Sequence, residues 1–337
     1  MSTQKITSME VAKLAGVSQS AVSRVFTPGA SSSKKTNELV RKAAAELGYR
    51  PNVLARSLIT GKSRMIGLVV AYLDNYFYPE ALELLSSALQ KKGYHVLIFM
   101  SGNKEGDIAD AVDEILDYQV DGIIAASVSM SSDLAKRCTS AGVPVVLFNR
   151  TQDDDRLSAV TSDNFQGGQK VARFLLAGGH KRIGYIAGWE GASTQRDREK
   201  GFTEELVRNG QELYAREVGN FNSDEARQAA RTMFSKQNFP DAVFVANDAM
   251  AIAVIDVIRF ELGLQVPEQV SVVGYDDVPI SSWPAYDLTT VRQPANRMVA
   301  ETVSILIDSI ENKITTARRV EIDGPLMVRG SAKISDK

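Results

Sequence analysis

Cysteine, histidine and long apolar runs are scarce in this chain, and each scarcity narrows what it can be. Its 337 residues include one cysteine, Cys138, and two histidines, His95 and His180. A lone cysteine forms no internal disulfide, which fits a reducing compartment. Neither histidine belongs to an HExxH motif, and no paired CxxC, GxSxG or GxxxxGK[ST] occurs. Both histidines read as structural. Asp153-Asp154-Asp155 lacks the glycine and terminal glutamate of a calcium loop, and Gly188-Trp189-Glu190-Gly191 makes no dinucleotide fingerprint. The expectation is therefore no catalytic residue, no metal and no cofactor. Apolar windows such as 66–71 fall far short of the roughly 20 residues of a membrane span. The N-terminus has no unbroken apolar segment of a signal peptide, so a cytoplasmic protein is expected.

Net charge is scarce too, at -2, but the average conceals a split. Residues 1–64 hold eleven basic residues against three acidic ones, a balance of +8. That leaves 28 basic against 38 acidic residues, or -10, for the remainder. A basic module facing a polyanion, fused to an acidic body with another task, accounts for the asymmetry.

The basic segment has helical punctuation. Thr7-Ser8-Met9-Glu10 forms a capping box, followed by an apolar stripe of Val11, Leu14 and Ala15. Gly16 allows a tight turn, and Ser18 caps a second helix at 19–26 with Val22, Val25 and Phe26 inward. A third helix, 35–47, offers Leu39, Val40, Ala43, Ala44 and Leu47 to a small core, and Pro51 is expected to end it. Two short helices about a glycine turn make a helix-turn-helix, whose second helix enters the DNA major groove. Gln19, Ser20 and Arg24 are its outward base-reading candidates; Gln reads adenine and Arg guanine. Thr7, Ser18 and Ser23 suit phosphate contacts. A three-helix protein-interaction bundle is the bland alternative.

The run VAKLAGVSQSAVSRVF, then LGYRPNVLARSLITGKS and MIGLVV, resembles the N-terminal signature of the LacI/GalR family of bacterial transcription regulators. The resemblance implies a homodimer whose hinge helices pair in the DNA minor groove through Asn52, Ala55 and Leu58. Leu58 stands at the family's wedge position, which kinks the duplex. Thr27-Pro28 departs from the family, where an Asn is usual.

From residue 65 onward, apparent strands lie at 66–71, 95–99, 122–126, 143–148, 182–187, 242–246, 271–275 and 288–292. Helical patterns at 80–92, 165–177, 199–209 and 249–262 alternate with them. Such alternation predicts parallel sheets covered by helices. Eight strands are too many for one tidy sheet, so two similar lobes with a ligand between them are expected. Polar residues recur at strand ends: Asp74-Asn75, Asn149-Arg150, Asn247-Asp248 and Asp276-Asp277, with Arg196 and Arg198 on a following helix. Sites in such folds sit at the carboxyl ends of strands; each residue alone reads first as a cap or turn, and their recurrence at the same strand ends shifts the balance towards a site. Asn75-Tyr76-Phe77-Tyr78, Gly179-His180-Lys181-Arg182-Ile183, Ala246-Asn247-Asp248 and Gly274-Tyr275-Asp276-Asp277 resemble the same family's periplasmic-binding-protein-type effector domain. By that resemblance Phe77, Asn149, Arg198, Asn247 and Asp276 are the effector contacts. It also implies three crossings between lobes, a first-lobe helix near 298–312, and no tetramerisation segment. Trp283 reads as a dimer-interface residue in preference to a pocket wall.

The fold class is α/β: a small all-α head, 1–50, a hinge helix or linker, 51–62, and a two-lobed parallel-sheet body, 63–337. Lobe 1 spans about 63–162 and 294–322, lobe 2 about 163–291 and 323–332. The function expected is a ligand-responsive repressor of carbohydrate-related genes, released from a pseudo-palindromic double-stranded operator by a sugar or sugar derivative. Corepression by a nucleobase-like effector is the alternative within the class. A sugar-binding receptor, or a small-molecule enzyme with an appended head, is the alternative outside it.

Overall fold

A computed structural model describes residues 6–27, 30–50, 62–71, 73, 75–101, 105–128, 131–152, 156–235 and 237–334. The chain divides into two compact units, Met1–Ser63 and Arg64–Lys337.

The first unit holds helices α1 (Ser8–Ala15), α2 (Gln19–Val25) and α3 (Lys34–Leu47). The capping box opens α1: the Thr7 amide donates to Glu10 Oε2 at 2.7 Å, and the Glu10 amide donates to Thr7 Oγ1 at 3.4 Å. The Thr7 amide and hydroxyl, both donating to it, hold the Glu10 carboxyl below its ordinary range. Gly16, at φ +66°, turns the chain, and Ser18 Oγ accepts from the Ala21 amide to start α2. Val11, Ala12, Val22, Val25, Val40, Ala43 and Ala44 form the core.

Two expectations fail here. Leu14 and Leu39 are 47% and 42% exposed. Valines and alanines line the close approach of the three helices, and the longer leucines fall on its flanks. The third helix ends at Leu47, as its span predicts, but Gly48 and not Pro51 stops it, taking a left-handed cap at φ +67° and donating to the Ala44 and Ala45 carbonyls. Glycine adopts that conformation without a Cβ clash.

The second unit contains two six-stranded sheets. In the first, β1 (Met65–Val70), β2 (His95–Met100), β3 (Gly122–Ala126), β4 (Val145–Phe148) and β5 (Ser158–Ser162) join β11 (Arg319–Ile322) in the order β11-β5-β4-β3-β1-β2, all parallel. In the second, β6 (Ile183–Ala187), β7 (Ala215–Val218), β8 (Ala242–Val245), β9 (Ser271–Asp276) and β10 (Thr289–Arg292) are parallel. There β12 (Leu326–Met327) pairs antiparallel to β10. Strands β3, β4, β6, β8 and β9 are buried throughout, as parallel strands covered on both faces must be. The first sheet is covered by α4 (Phe77–Lys91), α5 (Glu105–Asp117), α6 (Ser132–Ser140) and, returning late in the chain, α11 (Ala295–Glu311). The second is covered by α7 (Asn164–Ala177), α8 (Ser193–Arg208), α9 (Ser223–Phe234) and α10 (Asp248–Asp256), which a π-helical turn, Val257–Glu261, extends. The chain passes between lobes after β5, after β10 and after β11.

Close approach of α7 and α8 depends on glycine. A Cβ on Gly168 would lie 2.2 Å from the Arg198 carbonyl oxygen, and one on Gly201 would lie 2.0 Å from that of Phe165. This contact seats α8, and with it Arg198. Among the described residues no helix is long and apolar enough to cross a membrane.

Candidate nucleic-acid face and ligand cleft

On the head, Val22 and Val25 bury one side of α2 and leave Gln19, Ser20, Ser23 and Arg24 exposed on the other. Gln19 Nε2 donates to Ser8 Oγ at 2.9 Å, tying α2 to α1, and Arg24 Nε donates to the Ser20 carbonyl at 3.4 Å. Ser18 Oγ sits 2.9 Å from Ser20 Oγ. The Thr7 hydroxyl donates to Glu10 Oε2 at 2.9 Å, so it serves the helix cap. Thr27 Oγ1 donates to the Ser23 carbonyl at 2.8 Å, closing the end of α2 where the family pattern has an Asn. Asn52, Ala55 and Leu58 lie outside the described residues.

In the second unit, the carboxyl ends of both sheets face one cleft. The backbone there is strained: Ser127, Asn149, Phe221, Asp276 and Asp277 have φ of +61°, +61°, +58°, +129° and +59°. Each such non-glycine conformation costs on the order of 1–3 kcal/mol, and such residues cluster at ligand sites.

Asn149, Arg198, Asn247 and Asp276 meet there at a cavity of about 30 Å³, joined by Asn75 and Tyr78. Arg198 is 2% exposed and held on four sides. Its Nε donates to Asn164 Oδ1 at 2.9 Å and its Nη1 to the Ala246 carbonyl at 2.6 Å. The guanidinium lies 3.6 Å from the centre of the Tyr275 ring, and its Nη2 lies 3.6 Å from Asp276 Oδ1. A buried cation needs such complete pairing. Asp276 accepts from Gln293 Nε2 at 2.7 Å and from Asn75 Nδ2 at 3.2 Å. Burial raises its carboxyl to about 7; Arg198 opposes the shift and Asp248 adds to it.

The two asparagines are only partly satisfied. Asn149 Nδ2 donates to the Tyr78 hydroxyl at 3.0 Å, and Asn247 Oδ1 caps α10 by accepting from the Met250 amide at 3.0 Å. Asn149 Oδ1 and Asn247 Nδ2 are buried without a partner among the described residues. Native interiors rarely leave such groups alone. One orphan accepts and the other donates, so a hydroxyl group, which does both, complements the pair.

Phe77 does not line this cavity. It is 2% exposed, its ring stacks on Phe148 with centroids 6.2 Å apart, and it borders a separate groove beyond Asp276. Tyr78 reaches the cavity in its place. Gln293 had no signal at all, since it lies in the crossover after β10. Asp248, by contrast, is consumed structurally: it accepts from the Val278 amide, Ser281 Oγ and Thr290 Oγ1 at 3.0, 2.6 and 2.6 Å. His180 is buried, its Nδ1 3.4 Å from Asp241 Oδ1, and burial lowers its pKa. Trp283 is 54% exposed.

Comparison with known proteins gives two family matches. Residues 7–52 match the bacterial regulatory proteins of the lacI family, and residues 172–332 match a periplasmic binding protein-like domain. The chain is 30% identical over 329 residues to the HTH-type transcriptional repressor PurR of Pasteurella multocida (strain Pm70), covering 96% of this chain and 98% of that protein. It is 32% identical over 330 residues to the HTH-type transcriptional regulator CelR of Thermobifida fusca, covering 95% and 96%. Among solved structures, the lac repressor dimer bound to operator and the anti-inducer ONPF aligns with a TM-score of 0.88 at 28% identity, covering 97% of this chain and 99% of that one. The CelR–cellobiose complex aligns with a TM-score of 0.74 at 31% identity, covering 97% and 100%.

Proposed function

This chain belongs to the LacI/GalR family of bacterial transcription regulators, and from that premise we propose that it is a homodimeric, cytoplasmic repressor whose effector is a sugar or sugar derivative bound between the lobes. It is a ligand-responsive DNA-binding regulator. In this proposal Gln19, Ser20 and Arg24 read bases of a pseudo-palindromic operator, and Ser18 and Ser23 contact phosphates. Residues 51–62 form the hinge, with Asn52, Ala55 and Leu58 in the minor groove. The body performs no chemistry on its ligand.

The observation that carries the effector class is the pair of orphaned amide atoms, Asn149 Oδ1 and Asn247 Nδ2, beside the Arg198–Asp276 pair. Together they suit the alternating donors and acceptors of a polyol. A cavity of about 30 Å³ holds about one water, so a sugar enters only when the lobes part. Contacts that span the lobes then oppose entry. The Asn75–Asp276 bond is 3.2 Å, the Thr151 amide donates to Ser193 Oγ at 2.9 Å, and the Arg150 guanidinium lies 5.3 Å from the Trp189 ring centre. Ligand binding thereby selects between two lobe arrangements, which is the differential interaction an allosteric switch requires. Phe221, whose ring lines the same cavity, favours a second reading, a flat nucleobase-like corepressor.

The test is a thermal-shift screen of sugars, polyols and purines, followed by operator binding with each hit. The expected result is a sugar that raises Tm and weakens operator binding. Asn247→Ala should abolish that response and leave ligand-free operator affinity unchanged. A purine that tightens operator binding establishes the second reading, and turnover of any bound ligand overturns both.

A further inference from the structure

Beyond Asp276, on the side away from the cavity, lies a groove of about 560 Å³, within the roughly 300–1,000 Å³ of small-molecule sites. Its walls include Glu80, Asp277, Gln293 and Arg297. Three observations define what it accepts.

Gln293 is 4% exposed, and its Nε2 is committed to Asp276 Oδ1 at 2.7 Å. That bond sets the orientation of the amide and leaves Oε1 a buried acceptor without a partner among the described residues. An unmet buried acceptor costs about 1–3 kcal/mol, and a ligand O–H or N–H, like a water, relieves it. Next, the 17-residue helix α11 begins at this groove; Pro294 at its cap position gives no side-chain hydrogen bond, while the Ala295 and Arg297 amides donate to the Gln293 and Pro294 carbonyls at 2.8 and 2.9 Å. A helix start carries about half a positive charge and favours an anion. Last, the local charges leave a surplus. Asp276 faces Arg198 across the wall at 3.6 Å. The remaining groups are Arg292, Arg297 and Arg329 against Asp277 and Glu80, with Asp277 held by Arg292 and Arg329 at 2.6 Å each.

We propose that this groove binds a small hydroxy-acid, its hydroxyl donating to Gln293 Oε1 and its carboxylate set against the first turn of α11 and Arg297. The acid is either one end of a molecule that also fills the inner cavity or a separate co-ligand; the recognition chemistry is the same. Glu80 repels the carboxylate and limits affinity.

Calorimetric titration of the full chain with D-gluconate, D-glucuronate and D-glycerate, each paired with neutral D-glucitol, D-glucose and glycerol, tests the proposal. At least one acid should bind about tenfold or more tightly than its neutral counterpart. Arg297→Gln, an exposed substitution, should weaken that acid about tenfold, Gln293→Leu should weaken it as well, and Glu80→Gln should tighten it. Loss in Asn247→Ala assigns one molecule to both compartments, and retention there assigns a separate co-ligand; both support the site. Binding of none of the three acids, equal binding of the neutral partner, or indifference to both Arg297→Gln and Gln293→Leu overturns it.

Discussion

Replacing Asp276 with asparagine removes the titrating group of the cleft and keeps its shape. In the folded chain the carboxyl sits at about 7 rather than its ordinary 3.8, chiefly through burial, with Arg198 opposing and Asp248 reinforcing the rise. Between those two values the folded protein holds a proton that the unfolded chain has released. The stability contributed by this group is therefore complete below pH 3.8 and is lost as pH rises through about 7. Within that window the loss approaches about 1.4 kcal/mol per pH unit, the slope for one extra bound proton. Asparagine does not titrate, so wild type should lose its advantage over Asp276→Asn at that rate. Asp248, whose carboxyl burial also raises, is present in both proteins, but its repulsion of Asp276 is lost in the variant and forms part of the measured difference. The assay is urea unfolding at about pH 4.5, 5.5, 6.5 and 7.5 in constant salt. Trp189 fluorescence supplies the signal, in a Trp283→Phe background that leaves one of the two tryptophans. Parallel stability curves for the two proteins would refute the electrostatic account of the cleft.

Other perturbations reach different parts of the molecule. Gly201→Ala places a Cβ 2.0 Å from the Phe165 carbonyl oxygen, so it should lower stability by about 1–3 kcal/mol, as overpacking does; calorimetric Tm reads the change. Thr7→Ala removes the α1 cap and should destabilise the head by about 1 kcal/mol, measured by hydrogen exchange of the α1 amides. Arg24→Ala should relax preference at one operator base by about 1–3 kcal/mol. Equal weakening on every DNA tested makes Arg24 a phosphate contact instead.

Much of the body was legible because several inner strands, β1, β3, β4, β6 and β8, are short runs without a charged residue. All eight anticipated strands are present, their ends shifted by no more than two residues. The strands that escaped notice are SAVTS, AREV, RVEI and LM. Most are edge strands with charged or polar faces, and their pairing, such as Arg319 with Ala159, is set by partners far away in the chain. Helix α8 begins at Ser193, six residues ahead of its expected start at 199. Its first turns contain a buried arginine, which no hydrophobic pattern announces. The cleft was legible where polar residues end strands: Asn149, Asn247 and Asp276. Phe77 and Tyr78 differ by one step on a helix, about 100° of rotation, and that step sends one ring into the core and the other to the cavity. Periodicity in the head marked the helices but could not say that Leu14 and Leu39 stand outside a core closed by alanines.

The pairing of the last strands has a consequence for the nascent chain on the ribosome. β5 ends at Ser162, but its outer neighbour β11 begins only at Arg319. The helix that covers that sheet, α11, follows nearly the whole of the other lobe. The second sheet waits equally long for β12 at Leu326–Met327. The head can fold soon after it emerges, whereas both lobes remain open-edged until synthesis is almost complete. Premature termination between Arg292 and Arg319 should therefore release a folded head on an unfinished body that lacks β11 and β12, able to occupy DNA without answering a ligand.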